Sequence, residues 1–304
     1  MLKSPISFFD KRDFNIILIS YMLLKRITIT LSLVIFFIVS CNKENIENTT
    51  FSNGPAEFPA LSNNNFSILL THSTKFNGKN ITTYSAEYDT SKKHARWVAF
   101  KFFDLTAEVN VNRSPDDSFA ADPSLNANYQ RIRSDFGAKG FDRGHLCASA
   151  DRLYSQEANL QTFYYTNMSP QKNSFNTGVW QSLENLTRAW GRSNTLRDTL
   201  YVVKGGTIDK EEQIWKYIDN DRSKPVPKYY FMAFLNKKGD KYKGIAFWLD
   251  QTITYPTNVK LANYAISIDQ LEELTGIDFF VNLNDNLEKA IEQQLQLDAW
   301  PSLQ

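Results

Sequence analysis

The chain has three histidines, His72, His94 and His145, and one of them has neighbours that could do chemistry. In FDRGHLCASAD, Phe141 to Asp151, His145 follows Asp142, Arg143 and Gly144 and stands two places before Cys147. Imidazole titrates near neutral pH, so it can be free base and still take up a proton usefully. Three chemistries compete for it. Zinc needs several His, Cys or carboxylate ligands at short spacing, and no second His/Cys pair occurs. A cysteine nucleophile needs a base within hydrogen-bond reach. Residues i and i+2 of a strand point the same way, so a Cys147–His145 pair is geometrically allowed. Such partners usually come from separate segments, however, and a lone cysteine more often serves as a small buried hydrophobe. The third chemistry is an oxygen-bound cation. Downstream, YYTNMSPQKNSFNTGVWQSLEN carries Asn167, Asn176 and Glu184 in strongly apolar surroundings. A strand with His145, a second strand, and a helix with an amide and a carboxylate could converge on one ion. Mg2+ suits such a set, since it takes oxygen ligands, keeps several waters and is completed by substrate phosphate.

Each residue also has an ordinary reading. Asn at a helix start is usually an N-cap, and Glu on a helix usually faces solvent. His72 and His94 read as structural, Asp142 as a strand-end or structural acid, and Asp151 as a cap or ion-pair partner. Phe175, Trp180 and Trp190 read as core.

The elements that must hold these residues are partly visible. RWVAFKFF (96–103), TFYYTN (162–167), LYVVKGG (200–206), KYYFMAFL (228–235) and GIAFWLD (244–250) predict strands. Val179, Leu183, Leu186 and Trp190 recur at helical spacing. SIDQLEELTG places Ser267 and Gln270 as a capping box and Gly276 as a stop, and residues 286–297 predict a last helix. Strands and helices mix without regular βαβ alternation. The expected fold is therefore α+β, a mixed and mainly antiparallel sheet in one domain.

Composition is that of a globular chain, 42% hydrophobic and 22% charged. With 34 basic and 33 acidic residues the formal charge is +1, which lacks the strong basic footprint of a tight polyanion binder. Residues 1–41 are not fold. Lys25 and Arg26 precede an apolar stretch, Ile27 to Val39, that ends at Ser40-Cys41. This is a secretory signal, too short to span a bilayer as a helix, and IVSC is similar to a bacterial lipobox with Cys41 as the lipidated residue. Met22 gives a tidier start; if Met1 is used, Phe14–Leu24 lengthens the apolar segment and a spanning anchor becomes arguable. Residues 42–65, rich in Asn, Ser, Thr and Glu, read as a flexible tether, leaving 66–304 as the folded domain. With Cys41 lipidated, Cys147 has no intrachain partner and the core must supply the stability. The expected place is the bacterial cell envelope.

DRGH, then TNMSPQ, then FNTGVWQSLE resembles the DNA/RNA non-specific endonuclease family with its ββα-metal (His-Me finger) core, and the likeness runs from about Tyr84 to Trp300. The resemblance implies Mg2+-dependent, sequence-non-specific hydrolysis of DNA and RNA, with Mn2+ as an alternative ion. It implies His145 as general base, Asn176 as the side-chain ligand to the metal, and Glu184 holding one of the metal's waters. Asn167 would help position the site, and Arg143 would contact phosphate. Arg113, ahead of Asp122-Pro123, is the match to an upstream family arginine. The rival expectation is a catalytically inactive lipoprotein that binds nucleic acid or protein on the same fold.

Overall fold

The computed structural model describes residues 58–303. The signal, the lipobox cysteine and residues 42–57 of the tether lie outside the described residues. Residues 58–65 are fastened to the body: Phe58 packs on Trp97 with ring centroids 5.8 Å apart, the Ala60 amide donates to the Asp278 carbonyl, and the Ser62 amide donates to Glu87.

Eleven strands occur among the described residues: β1 (Ser67–Phe76), β2 (Lys79–Asp89), β3 (His94–Phe102), β4 (Asp142–His145), β5 (Met168–Gln171), β6 (Thr199–Gly206), β7 (Ile214–Tyr217), β8 (Pro225–Pro227), β9 (Tyr229–Lys238), β10 (Lys241–Asp250) and β11 (Ala265–Ile266). Seven form one sheet in the order β1-β2-β3-β6-β9-β10-β11, and every pairing in it is antiparallel. Strand alternation sends the two faces of this sheet into two cores. Val98, Phe100 and Phe102 of β3 face one way, toward Val179, Leu183, Leu186 and Trp190. Trp97 and Ala99 face the other way, toward Ile268, Leu271 and Phe279. The fold is the mixed, antiparallel α+β architecture that the sequence pattern implies.

Helix α1 is Gln156–Gln161, α2 is Gln181–Gly191, α3 is Ile268–Thr275 and α4 is Asp285–Glu292. Both predicted caps of α3 are present: Ser267 and Gln270 close a capping box, and Gly276 takes the left-handed conformation at φ 72°. Helix α4 stops at Glu292, short of the predicted 297. The chain must turn there, because Trp300 packs on Trp190 at 4.5 Å and Trp190 Nε1 donates to the Pro301 carbonyl.

One predicted strand is corrected. Residues 162–167 are not extended; they leave α1 through a turn into a 3-10 segment, Tyr165–Asn167, and the strand is β5 just after it. The aromatic run is there for burial, with Phe163 fully enclosed. Strand propensity reflects a half-buried surface as much as a ladder.

Candidate active site

Strands β4 and β5 form a separate antiparallel ribbon, with His145 opposite Met168 and Asp142 opposite Gln171. A helical run follows at once: Asn173–Phe175, a π turn at Asn176–Trp180, then α2. This is a ββα unit. A Cβ on Gly144 would lie 2.2 Å from the buried Gln171 side chain, so the ribbon closes only over glycine. Inside the π turn Gly178 leaves helical geometry (φ −106°, ψ −110°). A π turn takes up one extra residue. In an ideal helix, Asn176 and Glu184 would differ by about 80° in direction over eight residues, and the extra residue brings them to within about 20°.

His145, Asn176, Arg143 and Arg113 line one cleft of about 850 Å³. The imidazole and the amide from two different elements therefore meet across a single space. Around them the loop 113–120 is fastened to the turn after α1, where the Ala120 amide donates to the Phe163 carbonyl and the Tyr165 amide to the Ala120 carbonyl. This brings Phe119 and Phe163 against the His145 ring at 5.5 and 5.2 Å. The same two rings carry the arginines. The Arg143 guanidinium sits 3.9 Å from the Phe119 centroid and that of Arg113 5.1 Å from Phe163. Arg113 also pairs with Asp116 at 2.9 Å. Arg133 lines the cleft as well, so a chain with almost no net charge gathers a local cluster of guanidinium groups.

The Trp180 indole donates to the backbone carbonyl of His145 at 3.4 Å, whereas Nε2 of the ring is buried with no partner, which leaves Nδ1 as the nitrogen on the cleft side. Partial burial first, then the positive charges of Arg113, Lys204 and Arg143, lower the imidazole pKa to about 3. The ring is neutral at pH 7, with a lone pair to offer.

Asn176 is not an N-cap. It lies within the helical run, and its Nδ2 donates to Asp142 Oδ2 at 2.9 Å. Asn173 Nδ2 donates to the same oxygen, also at 2.9 Å. A carboxylate only accepts, so the Asn176 amide must turn its NH2 to Asp142, and its Oδ1 is the atom left for a ligand. Asp142, read from sequence as a mere strand-end acid, is thus part of the site. Only the folded ribbon reveals this, since no spacing rule joins residues 142 and 176.

Asn167 and Glu184 do not line the cleft. Asn167 is fully buried and ties down the chain just after His145: its Oδ1 accepts from the Cys147 amide, while its Nδ2 donates to the carbonyls of Cys147 and Thr162. Glu184 lies one layer inward, 3.7 Å from Lys204 Nζ. Lys204 pairs with the buried Asp151 at 3.3 Å, and Arg188 pairs with Asp151 at 3.2 Å. Burial raises the Glu184 carboxyl to about 7, against the pull of Lys204 and with the push of Asp151. Burial pushes the Cys147 thiol up to about 12, so it carries no thiolate at neutral pH, and Cys147 is a free buried cysteine. His72 is buried against Asp122 at 2.9 Å and His94 against Ser169 at 2.7 Å; both are structural, and Asp122 anchors the loop after Arg113 by accepting from Thr166 as well.

The sequence profile of the DNA/RNA non-specific endonuclease family matches residues 65–286. The chain is 31% identical over 218 residues to a protein named Nuclease from a Nostoc species, covering 70% of this chain and 76% of that protein. It is 28% identical to Nuclease C1 of Cunninghamella echinulata over 66% of this chain and 82% of that one. It is 25% identical to mitochondrial endonuclease G of Bos taurus over 67% and 69%. A solved structure of an EndoG/EndoGI complex shares the fold with a TM-score of 0.57 at 22% identity, over 71% of this chain and 88% of that one.

Proposed function

We propose how this cleft works from one premise: the chain belongs to the DNA/RNA non-specific endonuclease family and hydrolyses phosphodiester bonds of nucleic acids. His145 Nδ1 takes the proton of the attacking water. Its low basicity in the free protein comes from burial and from the surrounding cations. A phosphodiester entering the cleft offsets those cations and makes the ring a better base when it is needed. Arg143 and Arg113, held over Phe119 and Phe163, face the non-bridging oxygens, where charge grows in the transition state. Phosphate contacts position the strand without reading bases, which suits a cleft of arginines.

The residues present fit a hard cation. Asn176 Oδ1 is left over by the bond to Asp142, and the nearby donors are oxygens, as Mg2+ prefers. Asn176 would hold the ion, Asp142 would pin the amide, and Glu184 would order water on the inner side. When bound, Mg2+ (or Mn2+ in its place) supplies Lewis-acid stabilisation of the phosphoryl and leaving 3′ oxygens. The observation that carries this reading is the shared cleft of His145 and Asn176. Incubating the full chain with plasmid and with RNA, in Mg2+ or in EDTA, tests it. Cutting of both substrates in Mg2+ alone is expected; absence of Mg2+-dependent cutting would leave only a nucleic-acid binder.

The placement in the cell rests on the sequence of residues 1–41, which supports a lipid anchor at Cys41 in the bacterial envelope. Palmitate labelling that is lost in Cys41→Ser is the expected result, and labelling that persists would remove the anchor.

A further inference from the structure

Away from the cleft, helices α3 and α4 and the segment between them flank a second, open hollow of about 320 Å³. Asp269 and Glu292 line it, and carboxylate oxygens of these two and of Glu272 all lie within 4.8 Å of one another. Like charges so close repel, and Lys289, which also lines the hollow, makes no ion pair with them among the described residues. Acidic clusters on their own are common. What distinguishes this one is Glu292. Its side chain is only 5% exposed, and its Oε1 is buried with no hydrogen-bond partner. An unpaired buried carboxylate oxygen is costly, and it belongs to one of the three residues whose carboxylates gather here. Glu272 keeps one oxygen occupied by the Phe279 amide at 2.7 Å, which fixes its orientation.

We propose that this hollow is a Ca2+ site built by Asp269, Glu272 and Glu292, separate from the catalytic cleft. Ca2+ takes six to eight oxygens at about 2.3–2.6 Å in loose geometry, so ligands on opposite sides of it stand about 5 Å apart, which matches the spread seen here. Mg2+ demands tighter octahedral geometry and sheds water reluctantly, so it fills this site less well. By bridging α3 to α4 the ion fastens the end of the chain to the sheet, and its effect is on stability rather than on cleavage.

The test uses the full chain in detergent, in an Asn176→Ala background so that the cleft does not confound the reading. Ca2+ at about a hundredfold over its dissociation constant is expected to raise the melting temperature by about 5 °C or more, and equilibrium dialysis is expected to find one bound Ca2+ per chain. Glu292→Gln removes the repulsion, so it should fold at least as well without Ca2+ and lose both the temperature response and the bound ion. A melting temperature that ignores Ca2+ overturns the proposal, and so does a response that survives in Glu292→Gln.

Discussion

Removing the Asp142 carboxylate is expected to weaken metal binding in the cleft without unfolding it. Among the described residues Asp142 Oδ2 is the one hydrogen-bond partner of the Asn176 side-chain amide, at 2.9 Å. A hydrogen bond to a charged group contributes about 1.5–3 kcal/mol. Without it the Asn176 side chain is free to rotate, and its amide can present NH2 where the cation needs oxygen. If that stabilisation is lost from the metal-binding state, the Mg2+ concentration for half-maximal cleavage rises about 10- to 150-fold, close to the roughly 10- to 100-fold typical of groups that orient a metal ligand. Supercoiled-plasmid nicking by Asp142→Ala, titrated over Mg2+, gives that midpoint, and activity should largely return at saturating ion. Asn173→Ala is the control. It removes the other bond to the same oxygen and leaves Asn176 in place, so the midpoint should move less than threefold. An Asp142→Ala midpoint equal to that of the unmodified chain would refute the reasoning, because the carboxylate would then be a strand-end acid and nothing more.

Four further outcomes follow from the same geometry. Because the His145 pKa lies well below its usual 6.5 in the free protein, kcat/KM should stay flat as pH falls from 8 to 5, while the acid limb of kcat should lie at higher pH, since bound phosphate offsets the arginines; a kcat/KM limb centred at 6.5 would contradict this. Buried His94 is likewise held at about 3, by burial and by Arg131. Its folded value lies below its unfolded one, so the stability it gives is full above pH 6.5 and is lost as pH falls toward 3, which urea melts from pH 8 to 4 should show and which His94→Gln should flatten. Cys147→Ser should keep its turnover, because the thiol is not ionised; a dead but folded variant would restore the cysteine–histidine chemistry. Gly144→Ala, which forces a Cβ into Gln171, should lower stability by about 1–3 kcal/mol, read as a shifted urea midpoint.

The parts that could be read in advance are those set by local pattern. Alternating aromatic and small residues at 96–102 mark β3, and Ser267, Gln270 and Gly276 mark both ends of α3, because caps and alternation act within a few residues. Of the ordered set His145, Asn167, Asn176 and Glu184, the structure brings His145 and Asn176 to one cleft, while Asn167 and Glu184 are not among its lining residues. Long-range pairing was invisible. Nothing in DRGH says that its aspartate holds an amide 34 residues on, or that Glu184 will face a lysine from β6. The aromatic run 162–167 misled because large rings serve a buried turn as well as a strand. Strands β1 and β2 carry many polar residues and leave no clear apolar period, and the docking of Phe58 depends on Trp97, far along the chain.

The central claim is that His145 moves a proton while Asn176 holds the ion. The most direct measurement pairs Mg2+ calorimetry with single-turnover cleavage in His145→Ala. Cleavage is expected to fall about 10²- to 10⁴-fold, the usual contribution of a general base, while Mg2+ affinity and melting temperature stay as they were. Cutting at the normal rate would contradict the account, and so would a matching loss of Mg2+ affinity, which would make the imidazole a ligand rather than a base.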